Sequence, residues 1–422
     1  MVDKSGWDWS TPEKSIPIAD WRDRFGWVEE PSVSPDGERI AAIVNIDEGE
    51  FSVCVNGRTW DQTFDKIWYP RFSPDGRMTA IVSDMGEWTV AVDGRAWESR
   101  LGYVWQTQFS RDGTVVAVAA QQDMRYGMAA DDKLWPDLFG NLSNPRLSPD
   151  GRATAAVVQT VNFGEGEVHK FQQGAFSVAV NGAPWPKNFV NAWQPVFSPD
   201  SRHVAAQVRA TLYDYTIAVD GKTWPTGYGC VWDPIFHPQD GSVAAPVRAD
   251  GQWKLAIDGD IVWDRPFAQL WHLTYSADGG RLAGIAAVDY GKWSVVADGA
   301  PWQTRFDEVV TDVVFSSDGR HVAAIGKDRG HWDVVVDDRR WGLRAQMVWA
   351  PVFSPDGKHV AAKVEMDGHV TYVVDGKPWG QAAEAAWQPE FSPDGDHLLL
   401  KTVAQGVYHR HVAPLSGIIA GA

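Results

Sequence analysis

The chain has 422 residues, 24 of them Trp and two of them Cys, and 38 Lys and Arg against 55 Asp and Glu leave a net charge of −17. A hydrophobic content of 44% with 22% charged residues lies in the globular range, which excludes disorder, a collagen and a disulfide scaffold. The acidic balance repels phosphate backbones and anionic headgroups, and no apolar run reaches the ~18 residues of a membrane span, so neither a nucleic-acid partner nor direct membrane insertion is expected.

In chain order, residues 1–20 read as an N-terminal tail. They lack the basic region and apolar stretch of a signal peptide, which points to a cytoplasmic protein. From Trp21 a repeat begins. A Ser-Pro-Asp-Gly turn starts at Ser34, Ser73, Ser148, Ser354 and Ser392, with variants at Ser110, Ser198, His237, Ser276 and Ser316. The copies lie 37 to 40 residues apart, except for 50 between Ser148 and Ser198. A period near 40 is one four-stranded propeller blade.

Each copy has the same parts. A short first strand such as Trp193 to Phe197 precedes the turn, which suits a type I turn with Ser, Pro and Gly at its first, second and fourth positions. A second strand carries Ala at a fixed offset: Ala41, Ala80, Ala117, Ala155, Ala205, Ala244, Ala283, Ala323 and Ala361, with Leu399 in the last copy. The third strand ends in Asp-Gly or Asn-Gly, a hairpin signal, and a Trp follows within four residues. These hairpin Trp residues are 60, 97, 135, 185, 224, 263, 302, 341 and 379.

In the fourth copy the hairpin is stretched through residues 161–170, a polar, Gly-containing insert expected to project into solvent. Phe163, Glu165, Glu167, His169 and Lys170 are its candidate docking residues. The last copy lacks a fourth strand of its own. Trp21 to Pro31 has the spacing of Trp60 to Pro70, so this N-terminal segment is expected to complete the last blade and remove the open edges. The prediction is therefore an all-β propeller of ten four-stranded blades over residues 21–415, closed by the N-terminal strand, with a C-terminal tail at 416–422. Two five-bladed rings are the alternative, but they need closures near residues 205–232, where the pattern shows no break.

The F-S-P-D-G-x-x-x-A-A unit resembles the WD40-like repeat of TolB-type propellers over nearly the whole chain, without the Gly-His and Trp-Asp dipeptides of true WD40 repeats. The Trp-rich V-D-G-K-x-W hairpins (Asp220 to Trp224, Asp375 to Trp379) are similar to the tryptophan-rich subunit of the transmembrane electron-transfer (Tmc) complexes of sulfate-reducing bacteria. That resemblance implies a cytoplasmic, non-catalytic accessory subunit, peripheral to the inner membrane, beside an iron–sulfur subunit and a membrane cytochrome b. A TolB-like envelope interaction protein is a further alternative, which requires an export signal.

Catalytic motifs are missing: there is no Gly-x-Ser-x-Gly elbow, Walker motif or full dinucleotide fingerprint, and Cys54 and Cys230 form no CxxC pair. No cofactor and no metal is expected. The repeat Asp residues (Asp36, Asp75, Asp356) read as caps of their own turns. His409 and His411, two apart on a strand, face one side but lack a third ligand nearby in sequence. His203, His321, His359 and His397 share a repeat register, and His237 replaces a turn Ser. Cys54 stands in a small apolar slot. The V-D-G-K-x-W hairpin slightly resembles the Trp-docking motif of quinoprotein propellers, which add a quinone site that nothing here matches.

Trp68, Trp105, Trp193, Trp232, Trp271, Trp349 and Trp387 begin the first strands, with Glu29, Ser143 and Thr311 in the other blades. The first strand is innermost in such blades, so these Trp should ring one channel mouth. With Trp, Pro and Phe on one strand face, they pack between blades and offer indole edges as a candidate protein-contact rim. An enzyme or small-ligand binder using the central channel is the competing reading.

Overall fold

The computed structural model describes residues 3–164 and 166–420. Ten antiparallel sheets follow one another. Blade one consists of Val28–Val33, Ile40–Asp47, Glu50–Val55 and Arg58–Thr59, and eight blades repeat this order through Lys377–Pro378. In blades six, nine and ten the first strand is broken into two short pieces.

Each second strand is buried on both faces, as in Ile40–Val44, because a neighbouring blade covers each side. The core is therefore a series of thin layers between blades. One such layer joins Ala155, Val157 and Val178 of blade four to Val204, Ala206 and Val208 of blade five. The repeated Ala, 0–1% exposed throughout, lets the sheets approach.

Two local devices recur, and both read correctly from sequence. In the turn, the Ser hydroxyl donates to the Asp carboxylate two residues on, as at Ser110–Asp112 (2.6 Å) and Ser354–Asp356 (2.6 Å). In the hairpin, Asp93 and Gly94 take φ of 46° and 81°, a left-handed pair suited to a type I′ turn. The Asp93 carboxylate then accepts the Met78 N–H at 2.8 Å and so fixes the start of the second strand.

The hairpin glycine has a second duty. A Cβ on Gly94 would lie 2.9 Å from Trp60 Cγ of the preceding blade, so only glycine lets the indole lie over the turn. Trp224 of blade five covers Gly259 of blade six in the same way, and the Tyr228 hydroxyl donates to the Gly259 carbonyl at 2.6 Å. The seam between blades five and six is thus continuous. Blade ten packs on blade one, where Tyr408 OH donates to Gly37 O (2.7 Å) and Arg410 Nε to Asp36 O (2.9 Å). This is one ten-bladed ring, and the two-ring alternative falls.

The N-terminal strand closes the ring as expected, but through a different segment. The strand completing blade ten is Glu13–Pro17, antiparallel to Val407–Pro414, and it lies within the segment expected to be a tail. Trp21–Arg24 is a short helix. Trp21 still keeps its register role, since its indole is the nearest group to Gly57 and is 3% exposed in the layer between blades ten and one. The C-terminal end is likewise folded: Leu415–Ala420 is a helix with Leu415 and Ile418 buried between blades nine and ten. Lys377 Nζ donates to its Ile419 carbonyl at 2.5 Å.

Candidate functional site

First strands are innermost. Those of neighbouring blades meet around the channel, as where Gln108 Nε2 donates to Pro145 O (3.0 Å) and Gln388 Nε2 to Ala350 O (2.8 Å). In seven blades the residue after the rim position has positive φ, for example Tyr69, Gln106, Gln194 and His272, and the strand register shifts there. Such a bulge inserts one extra residue and turns the side chains beyond it to the other face. Trp193 pairs with Gln207 but Phe197 with Val204, so Trp and Phe lie on opposite faces rather than sharing one.

Six of the seven rim Trp lie against the third strand of their own blade. Trp68 contacts Trp88 (4.5 Å between ring centroids), Trp105 Tyr126 (6.2 Å), Trp193 Tyr215 (6.2 Å), Trp232 Trp253 (5.3 Å) and Trp271 Trp293 (4.7 Å). Trp387 meets Tyr408 edge-on at 6.1 Å. Trp349 has no aromatic partner of this kind; Lys363 Nζ lies 3.8 Å from its ring centroid, and burial lowers that ammonium's pKa. Six of the seven are half-buried, and only Trp68 reaches 44% exposure.

The exposed part of the rim is concentrated over blades one to three. Trp27, Trp68, Tyr69 and Tyr103 are 40–46% exposed. A chain of rings continues through Trp88, Tyr103, Trp105 and Tyr126 at centroid spacings of 5.5, 6.0 and 6.2 Å. Trp27, outside every sequence register, replaces the missing rim Trp of blade one by meeting Phe51 edge-on at 5.8 Å. A cleft lined by Trp27, Glu29, Glu30, Phe51, Lys66 and Trp68 opens beside it. Trp7 and Trp9 stack at 6.0 Å on the segment that crosses blade ten, held by a Lys4–Glu390 ion pair of 2.6 Å.

The blade-four insert folds into a short helix, Val168–Gln173, with Phe163 and Phe171 in contact at 6.1 Å. Glu167 accepts the Gly164 N–H (2.9 Å) and pairs with Lys170 (2.7 Å), while His169 is exposed. Glu165 lies outside the described residues.

Elsewhere on the inner wall, Asp233 of blade six opens to the channel yet is crowded enough that desolvation raises its carboxyl pKa, against the pull of His272 and Arg146. Gln207 donates to it, and Arg146 Nη2 donates to Gln194 Oε1 at 2.7 Å. Blades four to seven thus bring one polar group to the wall. Sequence reasoning missed it because the bulges decide which side chains face inward.

The histidines divide. His203, His321 and His359 each meet the hairpin Asp of their blade at 2.6 Å, whereas the third strand beside His397 ends in Pro414 and offers no such Asp. His237 accepts the Asp240 N–H (3.1 Å) within its turn, and its Nε2 lies 3.1 Å from the Gly279 carbonyl of the next blade. His409 and His411 stack at 5.5 Å, and closure brings Glu13 to them: its carboxylate lies 3.1 Å from His409 Nδ1. Burial lowers the His411 pKa, with Glu13 opposing. Cys54 is fully buried and its thiol is pushed up to about 11, as its apolar slot requires; burial also raises Cys230.

No family model and no curated protein matches the chain. Among solved structures it is similar to a eukaryotic initiation factor, at 13% identity and TM-score 0.49, over 80% of this chain and 94% of that one. It is also similar to the Dos1 propeller, at 11% identity and TM-score 0.38, over 95% of both chains. A prolyl endopeptidase matches at 11% identity and TM-score 0.37, over 83% of this chain and 56% of that one. At such distances these likenesses say nothing of activity. The class, a ten-bladed β-propeller, stands on this chain's own sheets. Among the described residues no helix is long and apolar enough to cross a membrane.

Proposed function

We propose that the protein is a non-catalytic scaffold subunit of a membrane-associated electron-transfer complex. It docks the iron–sulfur subunit on the aromatic rim of blades one to three and reaches the membrane through a cytochrome b subunit. The observation that carries the docking reading is the exposed edge of Trp27, Trp68, Tyr69 and Tyr103. Rigid aromatic side chains already held by their neighbours lose little entropy on binding, which is why such residues dominate interfaces. The choice of redox partners rests on the likeness of the V-D-G-K-x-W hairpins to the Tmc subunit. The net charge of −17 favours attachment through partner subunits over direct contact with anionic lipid.

The test is purification from gently solubilised native membranes. The wild-type chain is expected to bring down iron–sulfur and cytochrome b polypeptides, and Trp68→Ala with Tyr103→Ala to lose them at least tenfold while the ring stays folded. Recovery as a lone monomer contradicts the assignment; recovery of partners unaffected by the double variant moves the docking surface elsewhere.

A second reading, a small-ligand binder using the channel, is favoured by Asp233. A partly desolvated carboxyl with a raised pKa, beside His272 and Arg146, suits a hydrogen-bonding ligand. Native mass spectrometry of the purified protein is expected to show a bound small molecule that Asp233→Ala releases. A bare polypeptide mass from native source material counts against this reading.

A further inference from the structure

We propose that Glu13, His409 and His411 form a binding site for a divalent cation of the zinc class, which fastens the N-terminal strand to blade ten. Their ligand atoms all lie within 4.8 Å of one another. Glu13 is the cross-strand partner of His411, and His409 lies two residues away on the same face. Neighbours on the strand, Lys14 opposite Arg410, point to the other face, where Lys14 pairs with Asp8 and Glu38 (2.8 Å each). Among the described residues no Lys or Arg pairs with the Glu13 carboxylate.

Two imidazoles and one carboxylate are a donor set that zinc accepts, with bonds of about 2.0–2.2 Å and a fourth position left to water. Such bonds place tetrahedral ligand atoms about 3.3 Å apart. Glu13 and His409 already stand at 3.1 Å. The remaining gap closes by rotation of Glu13 and His409, whose side chains are 54% and 26% exposed, while His411 stays under the Trp379 ring at 5.2 Å. That ring comes from blade nine and packs edge-on against the imidazole, which limits its rotation. A plain ion pair accounts for Glu13 and His409. It does not account for the second imidazole, parallel within 11° and facing the same carboxylate.

The placement gives the cation a consequence. Glu13 and His409 are 396 residues apart, on the two strands whose pairing closes the ring. Such a cation cross-links the whole circuit and binds only the closed form, so it raises stability by mass action.

The experiment uses the full chain without a polyhistidine tag, stripped of metal and titrated with Zn²⁺ by calorimetry and thermal scanning. One equivalent is expected to bind, and the transition to rise by about 2–5 °C once Zn²⁺ is in ~100-fold excess over its Kd. Co²⁺ is expected to give visible d–d absorption. Glu13→Gln, at an exposed position, and His409→Gln, at a half-buried one, should weaken binding at least tenfold while a far-ultraviolet circular-dichroism spectrum like the wild type's shows the fold kept. His203→Gln, at a two-residue His–Asp pair, should leave it unchanged. Absence of saturable binding overturns the site and leaves an ion pair only. Binding indifferent to Glu13→Gln and His409→Gln overturns it in favour of scattered surface histidines.

Discussion

Trp21→Ala is expected to lower the free energy of unfolding by about 3–5 kcal/mol, the usual cost of truncating a buried aromatic side chain. The indole is 3% exposed among Phe25, Val33, Ile40, Cys54, Val403 and Tyr408, so the change opens a cavity where blade ten meets blade one. This seam is unlike the others because its only chain connection runs through the N-terminal strand, which continues by way of Trp21–Arg24 into blade one and is attached to the rest of blade ten by strand pairing rather than by a hairpin. It is held by side-chain packing, by Tyr408 and Arg410 reaching Gly37 and Asp36, and by the N-terminal strand. Weakening it should expose unpaired strand edges, so the variant should also associate at lower temperature than the wild type. Trp68→Ala, at a 44% exposed position, is expected to cost about 1 kcal/mol or less. Urea unfolding of both variants decides the matter. A loss at Trp21 no greater than at Trp68 would show that the seam does not limit stability.

The second large effect concerns Lys401. It is 4% exposed, and desolvation lowers its ammonium pKa to about 8. Glu390 and Asp36 oppose that shift, while Lys4 and Arg410 add to it. Its ammonium donates to the Pro35 carbonyl at 3.2 Å. The unfolded chain holds this proton until about pH 10.4. Below pH 8 both states are protonated and the burial penalty is constant. Between pH 8 and about 10 the unfolded state binds more protons than the native one, so stability rises with pH, by about 2–3 kcal/mol. Above that range the rise reverses. Tyr372 and Tyr408, whose pKa values burial raises, stay neutral in the fold while their unfolded counterparts ionise. Lys401→Met is expected to abolish the rise and, at pH 7, to leave stability unchanged or raise it by about 1–3 kcal/mol, as replacements of buried charges often do. Equal slopes for wild type and variant between pH 8 and 10 would refute a strained ammonium.

Both predictions fall on the closure seam, which is also where sequence and structure part. The ten blades were legible because each repeats the same local chemistry. Ser-Pro-Asp-Gly closes its turn through its own Ser and Asp, Asp-Gly supplies the left-handed pair of a hairpin, and Trp marks where the next glycine makes room. These are contacts within a turn or between adjacent repeats, so a period near 40 and the turn residues suffice to predict them. The rim Trp positions were legible for the same reason.

The direction of those rim side chains was not legible. It depends on a bulge at residues such as Tyr69, Gln106 and Gln194, none a glycine, whose positive φ has no signature in residue type. One added residue reverses the strand's phase and separates Trp193 from Phe197, and in blade six the break between Val231 and Ile235 places Asp233 on the channel side. Trp27 serves as a rim aromatic outside every register for a like reason: its place is set by packing on Phe51. Closure by an N-terminal strand was legible, but its residues were not, because Glu13–Pro17 carries no turn or Trp signal and is selected by pairing with a strand almost 400 residues away. The sequence by itself thus determined the blades, their number and their order. Only the tertiary structure decided which segment closes the ring, which faces the rim residues take, and that Glu13 joins His409 and His411, because each depends on contacts that no local pattern encodes.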